Sequence, residues 1–119
     1  MGIKEDVKEL NDMISEGKVM EAFEKFYSED VTMQENSEEP RVGKDTNREF
    51  EKNFLENIEE FHGAKLNGVG FSEDGEKVMN HWEMDVTFKG GQRRKSSQVS
   101  VQKWKDGKIV KERFLYNPN

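Results

Sequence analysis

The stretch that most constrains this fold runs from Gln92 to Tyr116, where two alternating segments flank the dipeptide Asp106-Gly107. Asp-Gly supplies the positive φ angles of a tight turn, and a period of two on both sides predicts a β-hairpin. One face would carry Gln98, Ser100, Gln102, Trp104, Val110, Glu112, Phe114 and Tyr116, and the other Val99, Val101, Lys103, Lys105, Ile109, Lys111, Arg113 and Leu115. The face with the aromatic residues is expected to point inward.

Apolar residues at helical spacing predict three helices before this hairpin. The first ends at Gly17 and carries the stripe Ile3, Val7, Leu10 and Ile14. The second is short and carries Val19, Met20, Phe23, Phe26 and Tyr27. The third starts with the capping-box spacing Thr46-x-x-Glu49 and carries the core-facing residues Phe50, Phe54, Ile58 and Phe61.

Three further segments are predicted to be strands. VTMQE places Val31, Met33 and Glu35 on one face, and KLNGVGF is a weaker strand in which Gly68 and Gly70 indicate a bend or bulge. Residues 77–88 place Trp82, Met84, Val86 and Phe88 inward and His81, Glu83, Asp85 and Thr87 outward. NSEEPRVG is predicted to be a loop. Together these elements indicate an α+β fold, with three N-terminal helices on one face of a mostly antiparallel sheet.

Composition narrows the class of protein. A chain of 119 residues fits one domain spanning residues 1–119, and the absence of cysteine excludes disulfides and thiolate chemistry. The charged N-terminus predicts a cytoplasmic protein with no membrane partner. His62 and His81 lack a partner at metal-ligand spacing, and Gly68-x-Gly70 lacks a third glycine, so neither a metal nor another cofactor is expected. Arg93-Arg94-Lys95 lacks interleaved aromatic residues, so no nucleic-acid partner is expected either.

Two segments carry a resemblance to a known family. YSEDVTMQENSEEPRVG, Tyr27 to Gly43, resembles the helix-end, first-strand and loop segment of ketosteroid isomerases, and WKDGKIVKERFLY is similar to the closing hairpin of many SnoaL-like proteins. The order of elements also resembles the nuclear transport factor 2-like superfamily, which includes both. This resemblance implies a curved sheet that forms a cone with the helices around an interior pocket.

The resemblance places Glu35 where the isomerases carry their general-base aspartate. A carboxylate among Met33, Trp82 and Phe54 would be desolvated and therefore suited to proton transfer near neutral pH, unless it pairs with Arg41 or another polar neighbour. The isomerase pattern then breaks, because its oxyanion-binding aspartate matches Ser100 and its helix-borne tyrosines match Leu10 or Asn11 and Glu51. These departures argue against steroid isomerisation.

The inward face therefore predicts a site for a small apolar molecule. Its catalytic residues would be Glu35 and Glu112, and its ligand-binding residues would be Tyr27, Met33, Phe54, Trp82, Gln98, Ser100, Gln102, Trp104, Phe114 and Tyr116. The alternative is an internal network in which glutamine amides bond Glu112 and Tyr116 without a ligand. Three functions stay open: a cofactor-independent isomerase, cyclase, dehydratase or hydrolase, a binding module for a hydrophobic ligand, or a structural or regulatory dimer.

The outward face predicts a homodimer. Val99, Val101, Ile109 and Leu115 stand there among charged side chains, and contiguous apolar residues of this kind are usually covered. Pairing the two sheets about a two-fold axis would bury these residues, as sheet-dimerising members of the superfamily do.

Overall fold

The computed structural model describes residues 2–118, and its elements alternate between helices and one sheet. In chain order they are α1 (Ile3–Ser15), α2 (Val19–Phe26), β1 (Tyr27–Glu35), β2 (Arg41–Val42), α3 (Lys44–Glu56), β3 (Ile58–Phe71), β4 (Lys77–Phe88), β5 (Arg93–Lys105) and β6 (Lys108–Tyr116). The six strands lie in the order β2-β1-β6-β5-β4-β3, so the sheet is open. Only the β1–β6 pair of these described strands is parallel. The predicted α+β class is confirmed.

The closing hairpin and its neighbour follow the predicted pattern closely. Asp106 and Gly107 adopt φ angles of 53° and 76°, which makes the turn between β5 and β6. The predicted strand 77–88 is β4 in full, and its inward residues Val78, Trp82 and Val86 are buried. Alternation with a period of two is therefore a reliable guide wherever the ladder is regular.

One register shift in the hairpin overturns part of the predicted outer face. Trp104 pairs with Ile109 whereas Lys103 pairs with Lys111, so Val110 is an extra residue in β6. Such a bulge moves the residues before it to the opposite face. Ile109 is consequently fully buried on the same side as Trp104, and its assignment to the outer, dimer-forming face was wrong.

The first two helices follow their apolar stripes. Val7 and Leu10 of α1 are buried, and α2 buries Ala22, Phe23 and Phe26. The second helix ends at Phe26, so Tyr27 begins β1 and does not complete a helical turn as predicted.

The third helix differs most from its prediction. Gly43 occupies the N-cap position with no side-chain cap hydrogen bond, so the predicted capping box of Thr46 and Glu49 is not formed. The helix ends at Glu56, and Ile58 and Phe61 belong to β3. That strand starts five residues before Gly63, and one of its register shifts falls between Leu66 and Gly68, where a bulge was predicted. The short strand β2 was also missed, within the predicted loop.

Helix α3 buries polar side chains where an apolar stripe was expected. Phe50 and Phe54 are 38% and 43% exposed, whereas Lys44 and Asn47 are buried. The Asn47 amide donates to the backbone oxygens of Gly43 and Arg41, at 2.8 and 3.1 Å, and Lys44 Nζ donates to the backbone oxygen of Glu24 at 2.9 Å. These hydrogen bonds hold α3 in place and leave its phenylalanines free of the core.

The apolar core occupies only the end of the sheet next to the Asp106-Gly107 turn. There α1 and α2 pack on the sheet, and the buried cluster comprises Val7, Leu10, Ala22, Phe23, Phe26, Tyr27, Val31, Met33, Val78, Trp104 and Ile109. The inward face farther from this turn is left uncovered by that cluster, and the cavity described below lies there. None of the helices within residues 2–118 is long and apolar enough to cross a membrane.

Candidate functional site

A cavity of about 450 Å³ lies between the three helices and the inward face of the sheet. Its walls are mostly apolar and include Phe50 and Phe54 of α3, Phe61 of β3 and Trp82 and Phe88 of β4. Small-molecule sites are typically concave spaces of this size with apolar walls and a few polar groups. Helix α3 contributes because its phenylalanines are not used in the core.

Nearly all of the predicted site residues line this one cavity. They are Tyr27, Met33, Glu35, Phe54, Trp82, Gln98, Ser100, Gln102, Glu112, Phe114 and Tyr116. Trp104 is the exception, because its ring lies in the core with its centroid 5.9 Å from that of Phe26. Alternation along the strands places the predicted residues on one face of the sheet. It does not show where along β5 that face stops lining the cavity and starts packing in the core.

Glu35 is held at the cavity wall by two partners. Arg41 Nη2 donates to Oε2 at 3.0 Å and the Tyr116 hydroxyl donates to Oε1 at 3.0 Å, while the carboxylate side chain stays 15% exposed. Arg41 is itself fixed by Asn47, whose Oδ1 accepts from Nε at 3.0 Å, and by Phe50, whose ring centroid lies 3.6 Å from the guanidinium carbon. The predicted alternative that Glu35 pairs with Arg41 is confirmed.

Burial raises the pKa of Tyr116 to about 12, and the neighbouring Glu35 carboxylate contributes to this shift. The Tyr116 hydroxyl therefore keeps its proton at physiological pH and acts as a donor. Glu35 thus receives one charged and one neutral hydrogen bond.

Glu112 forms a second, fully enclosed polar group. It is 2% exposed, accepts a hydrogen bond from the Tyr27 hydroxyl and accepts another from Gln102 Nε2 at 2.7 Å. Gln102 Oε1 in turn accepts from Trp104 Nε1 at 3.0 Å, so the chain of hydrogen bonds reaches from cavity to core. The Gln102–Glu112 hydrogen bond of the predicted internal network is present, whereas Tyr116 bonds Glu35.

This enclosure changes the acidity of both partners. Burial raises the pKa of Glu112 to about 7, although the hydrogen bonds from Tyr27 and Gln102 oppose the shift. Burial and the adjacent carboxylate also raise the pKa of Tyr27 well above its ordinary value. Glu112 can therefore change its protonation state near neutral pH.

Ser100 is a further polar group in the cavity wall. It is buried, and its Oγ accepts a hydrogen bond from Asn80 Nδ2 at 3.2 Å. Asn80 Oδ1 accepts from Asn11 Nδ2 at 3.0 Å. Because Ser100 already accepts from Asn80, its own hydroxyl proton can be donated to a molecule in the cavity.

Glu51 is a cavity-lining carboxyl that was not among the predicted site residues, although the family resemblance matched its position to a helix-borne tyrosine of the isomerases. It lines the cavity from α3, and within residues 2–118 no side-chain hydrogen bond or ion pair involves it. Burial raises its pKa to about 7, Glu112 and Glu35 add to the shift, and Arg41 opposes it. The usable signal was the spacing of four from Asn47 to Glu51 and from Glu51 to Leu55, which places these residues on one helical face.

The described residues show no group of three or more histidine, cysteine or carboxylate side chains arranged to hold a metal ion. On the outer face of the sheet, Val99 and Val101 are half-buried and Leu115 is 41% exposed. These three residues remain of the four that were predicted to form the dimer contact.

Comparison with known proteins agrees with this architecture. A family model described as a SnoaL-like domain matches residues 1–116. The chain belongs to the SnoaL-like family. The family assignment confirms the resemblance drawn from the closing hairpin and the order of elements, including the cone-like arrangement of helices and sheet.

Solved structures similar to this SnoaL-like protein include several bacterial proteins. A candidate SnoaL-like polyketide cyclase from Mesorhizobium loti is 30% identical with a TM-score of 0.84, covering 96% of this chain and 98% of its own. A candidate polyketide cyclase from Pseudomonas putida is 22% identical with a TM-score of 0.81, covering 100% and 94%. A candidate isomerase from Bacillus subtilis is 21% identical with a TM-score of 0.79, covering 96% and 85%. The last two establish the fold alone. A search of curated proteins found no match.

Proposed function

We propose that this SnoaL-like protein is a cofactor-independent enzyme of the isomerase, cyclase, dehydratase or hydrolase type that acts on a small apolar molecule, with Glu35 as general acid/base. The observation that carries the proposal is the setting of Glu35, which lies in an apolar cavity with Arg41 on one oxygen and Tyr116 on the other. The ion pair with Arg41 offsets the cost of holding this carboxyl group in an apolar cavity. Each oxygen keeps a lone pair that can accept a proton.

The position of Ser100 supports a two-point contact with the substrate. Glu35 pairs with Phe114 and Phe114 pairs with Ser100, so the two polar residues lie on strands on either side of β6. Two strand spacings separate them by about 10 Å. A molecule lying over Phe114 would meet the carboxylate at one end and a hydroxyl donor at the other, as abstraction of a proton near a carbonyl requires.

Glu112 would serve as the second carboxylate in this scheme. Its pKa of about 7 suits a group that returns a proton to the substrate at neutral pH. Gln102, which donates to Glu112, would position it.

A binding module is the second candidate function. Both oxygens of Glu35 and both oxygens of Glu112 already accept hydrogen bonds in the structure. A cavity in which Glu35 and Glu112 are satisfied in this way could hold a hydrophobic ligand without changing it.

Proton exchange at small ketones separates the two functions without knowledge of the natural substrate. 2-Tetralone and cyclohexanone in D₂O exchange their α-hydrogens slowly, and NMR measures the rate. We expect the wild type to accelerate exchange of at least one of them, and Glu35→Gln to reduce this acceleration by about 100-fold or more, which is the usual contribution of a general base. Glu39→Gln, at an exposed position four residues along, should keep the wild-type rate. Bound ketone without exchange would support the binding module, and exchange that survives Glu35→Gln would exclude Glu35 as the base.

A further inference from the structure

The charges of the cavity do not balance on the side where α3 faces β6. Glu35 is neutralised by Arg41 at 3.0 Å. Glu112 accepts hydrogen bonds only from the neutral donors Tyr27 and Gln102, and Glu51 has no bonded partner among the described residues. Two carboxyl groups therefore share this side of the cavity without a cation bonded to either.

Arg94, the cation among the described lining residues, is too distant to compensate the charges of Glu51 and Glu112. Arg94 lies on β5 eight residues before Gln102, which bonds Glu112, and eight residues of strand span about 26 Å. Its guanidinium donates to the backbone oxygen of Asn117 at 3.2 Å, beyond the end of β6. On the Glu51 side, Arg41 is already paired with Glu35, and the described lining residues there offer Glu51 and Glu112 no second cation.

We propose that the cavity takes a small apolar molecule carrying a protonated amine, and that Glu51 is the residue that selects the amine. The proposal rests on the proposed function only for the location of the ligand. An ammonium group beside Glu51 and Glu112 would supply the missing countercharge, while Phe50 and Phe54 flank Glu51 with aromatic surface. The same aromatic surface already stacks on one cation, the Arg41 guanidinium over Phe50.

Binding of the amine should depend on pH through Glu51. The charged or titratable groups that act on Glu51 are Glu35 from β1, Arg41 from β2, Glu112 from β6 and Tyr27. Because the pKa of Glu51 is raised to about 7, an ammonium that binds the ionised form must displace a proton at pH 6 but not at pH 8. The affinity should therefore rise with pH over this range, whereas a simple amine keeps its own charge throughout.

Three probes with one carbon skeleton test the proposal: 4-phenylbutylamine, 4-phenylbutan-1-ol and 4-phenylbutyrate. Isothermal titration calorimetry at pH 6 and pH 8 gives the affinities, and repetition in buffers of different ionisation enthalpy gives the protons released. We expect the amine to bind about tenfold tighter than the alcohol at pH 8, equivalent to a change of one unit in the pKa of its carboxyl partner. The preference should shrink at pH 6, with protons released on binding, and the carboxylate probe should bind weakest.

Glu51→Gln keeps the shape of the side chain and should abolish the preference for the amine, with the alcohol unaffected. Glu49→Gln removes the same charge from an exposed position of the same helix and should leave the preference intact. Equal affinities of amine and alcohol in the wild type, or a tighter carboxylate probe, would overturn the proposal even if no variant folds. If the alcohol binds as tightly as the amine, only the amine proposal fails. If none of the three probes binds, the result counts against the apolar-ligand function as well.

Discussion

Replacing Glu51 with glutamine should stabilise the protein, and it should do so only at pH values where this carboxyl is ionised in the unfolded chain. The pKa of Glu51 is about 7 in the folded chain against an ordinary value of 4.5. The folded state therefore binds its proton more tightly than the unfolded state does. Stability contributed by this group is highest below pH 4.5, falls as the pH rises from 4.5 to 7, and stays at its lower level above pH 7.

The magnitude follows from the difference between the two pKa values. Each pKa unit corresponds to about 1.4 kcal/mol, so the full difference corresponds to about 3 kcal/mol at pH 8. Glu51 is only half-buried, and solvent screening reduces the part of this cost that the variant recovers. Glutamine has the same shape, and the structure gives the carboxyl no hydrogen bond that it would lose. We therefore expect Glu51→Gln to raise the free energy of unfolding by about 2 kcal/mol at pH 8 and by less than about 0.5 kcal/mol at pH 4.5.

Urea denaturation at the two pH values measures this difference without adding salt. Glu49→Gln is the matched control, because it removes a carboxylate from an exposed position on the same helix and should change stability little at either pH. A Glu51→Gln variant that is no more stable than the wild type at pH 8 would refute the inference that the Glu51 charge is uncompensated. A gain of the same size at both pH values would instead assign the effect to packing.

Two further predictions concern the core and the outer face. Trp104→Ala should lower the free energy of unfolding by about 3–5 kcal/mol because it leaves a cavity at a buried site. Trp104→Phe should lower it by about 1–3 kcal/mol because Gln102 loses its hydrogen-bond donor. Urea denaturation measures both changes, and a Trp104→Phe variant as stable as the wild type would show that this hydrogen bond does not stabilise the fold. Val101→Asp should convert a homodimer formed through Val99, Val101 and Leu115 to monomers, measured by light scattering. A wild-type mass of 13.9 kDa at micromolar concentration would show that no such dimer forms.

The regular parts of the sheet were predictable because their signal is local. In β4 and most of the closing hairpin, each side chain's face follows from its position in an alternating series. The error at Ile109 arose from one extra residue, Val110, and no residue type in KIVKE marks that bulge. A parity argument holds only until the first bulge, so residues on the far side of one are assigned to the wrong face.

Helix α3 was mispredicted for a different reason. Phe50, Phe54, Ile58 and Phe61 have helical spacing, but the helix ends at Glu56 and the last two lie on a strand. Aromatic residues at that spacing predict a core stripe, whereas the buried side chains of α3 are Lys44 and Asn47. A pattern of apolar residues does not distinguish a helix face that packs in the core from one that lines a cavity.

The way α3 is anchored accounts for both the cavity and the position of Glu51 in its wall. Because Asn47 and Lys44 anchor α3 by hydrogen bonds, the helix does not need to bury Phe50 and Phe54 to stay in place. The phenylalanines therefore remain as walls, and the half-buried carboxyl between them lies near other carboxylates. A helix anchored through apolar packing would have filled this space. Polar anchoring of α3 is thus the feature that leaves both an apolar cavity and an unneutralised carboxyl group for a ligand to meet.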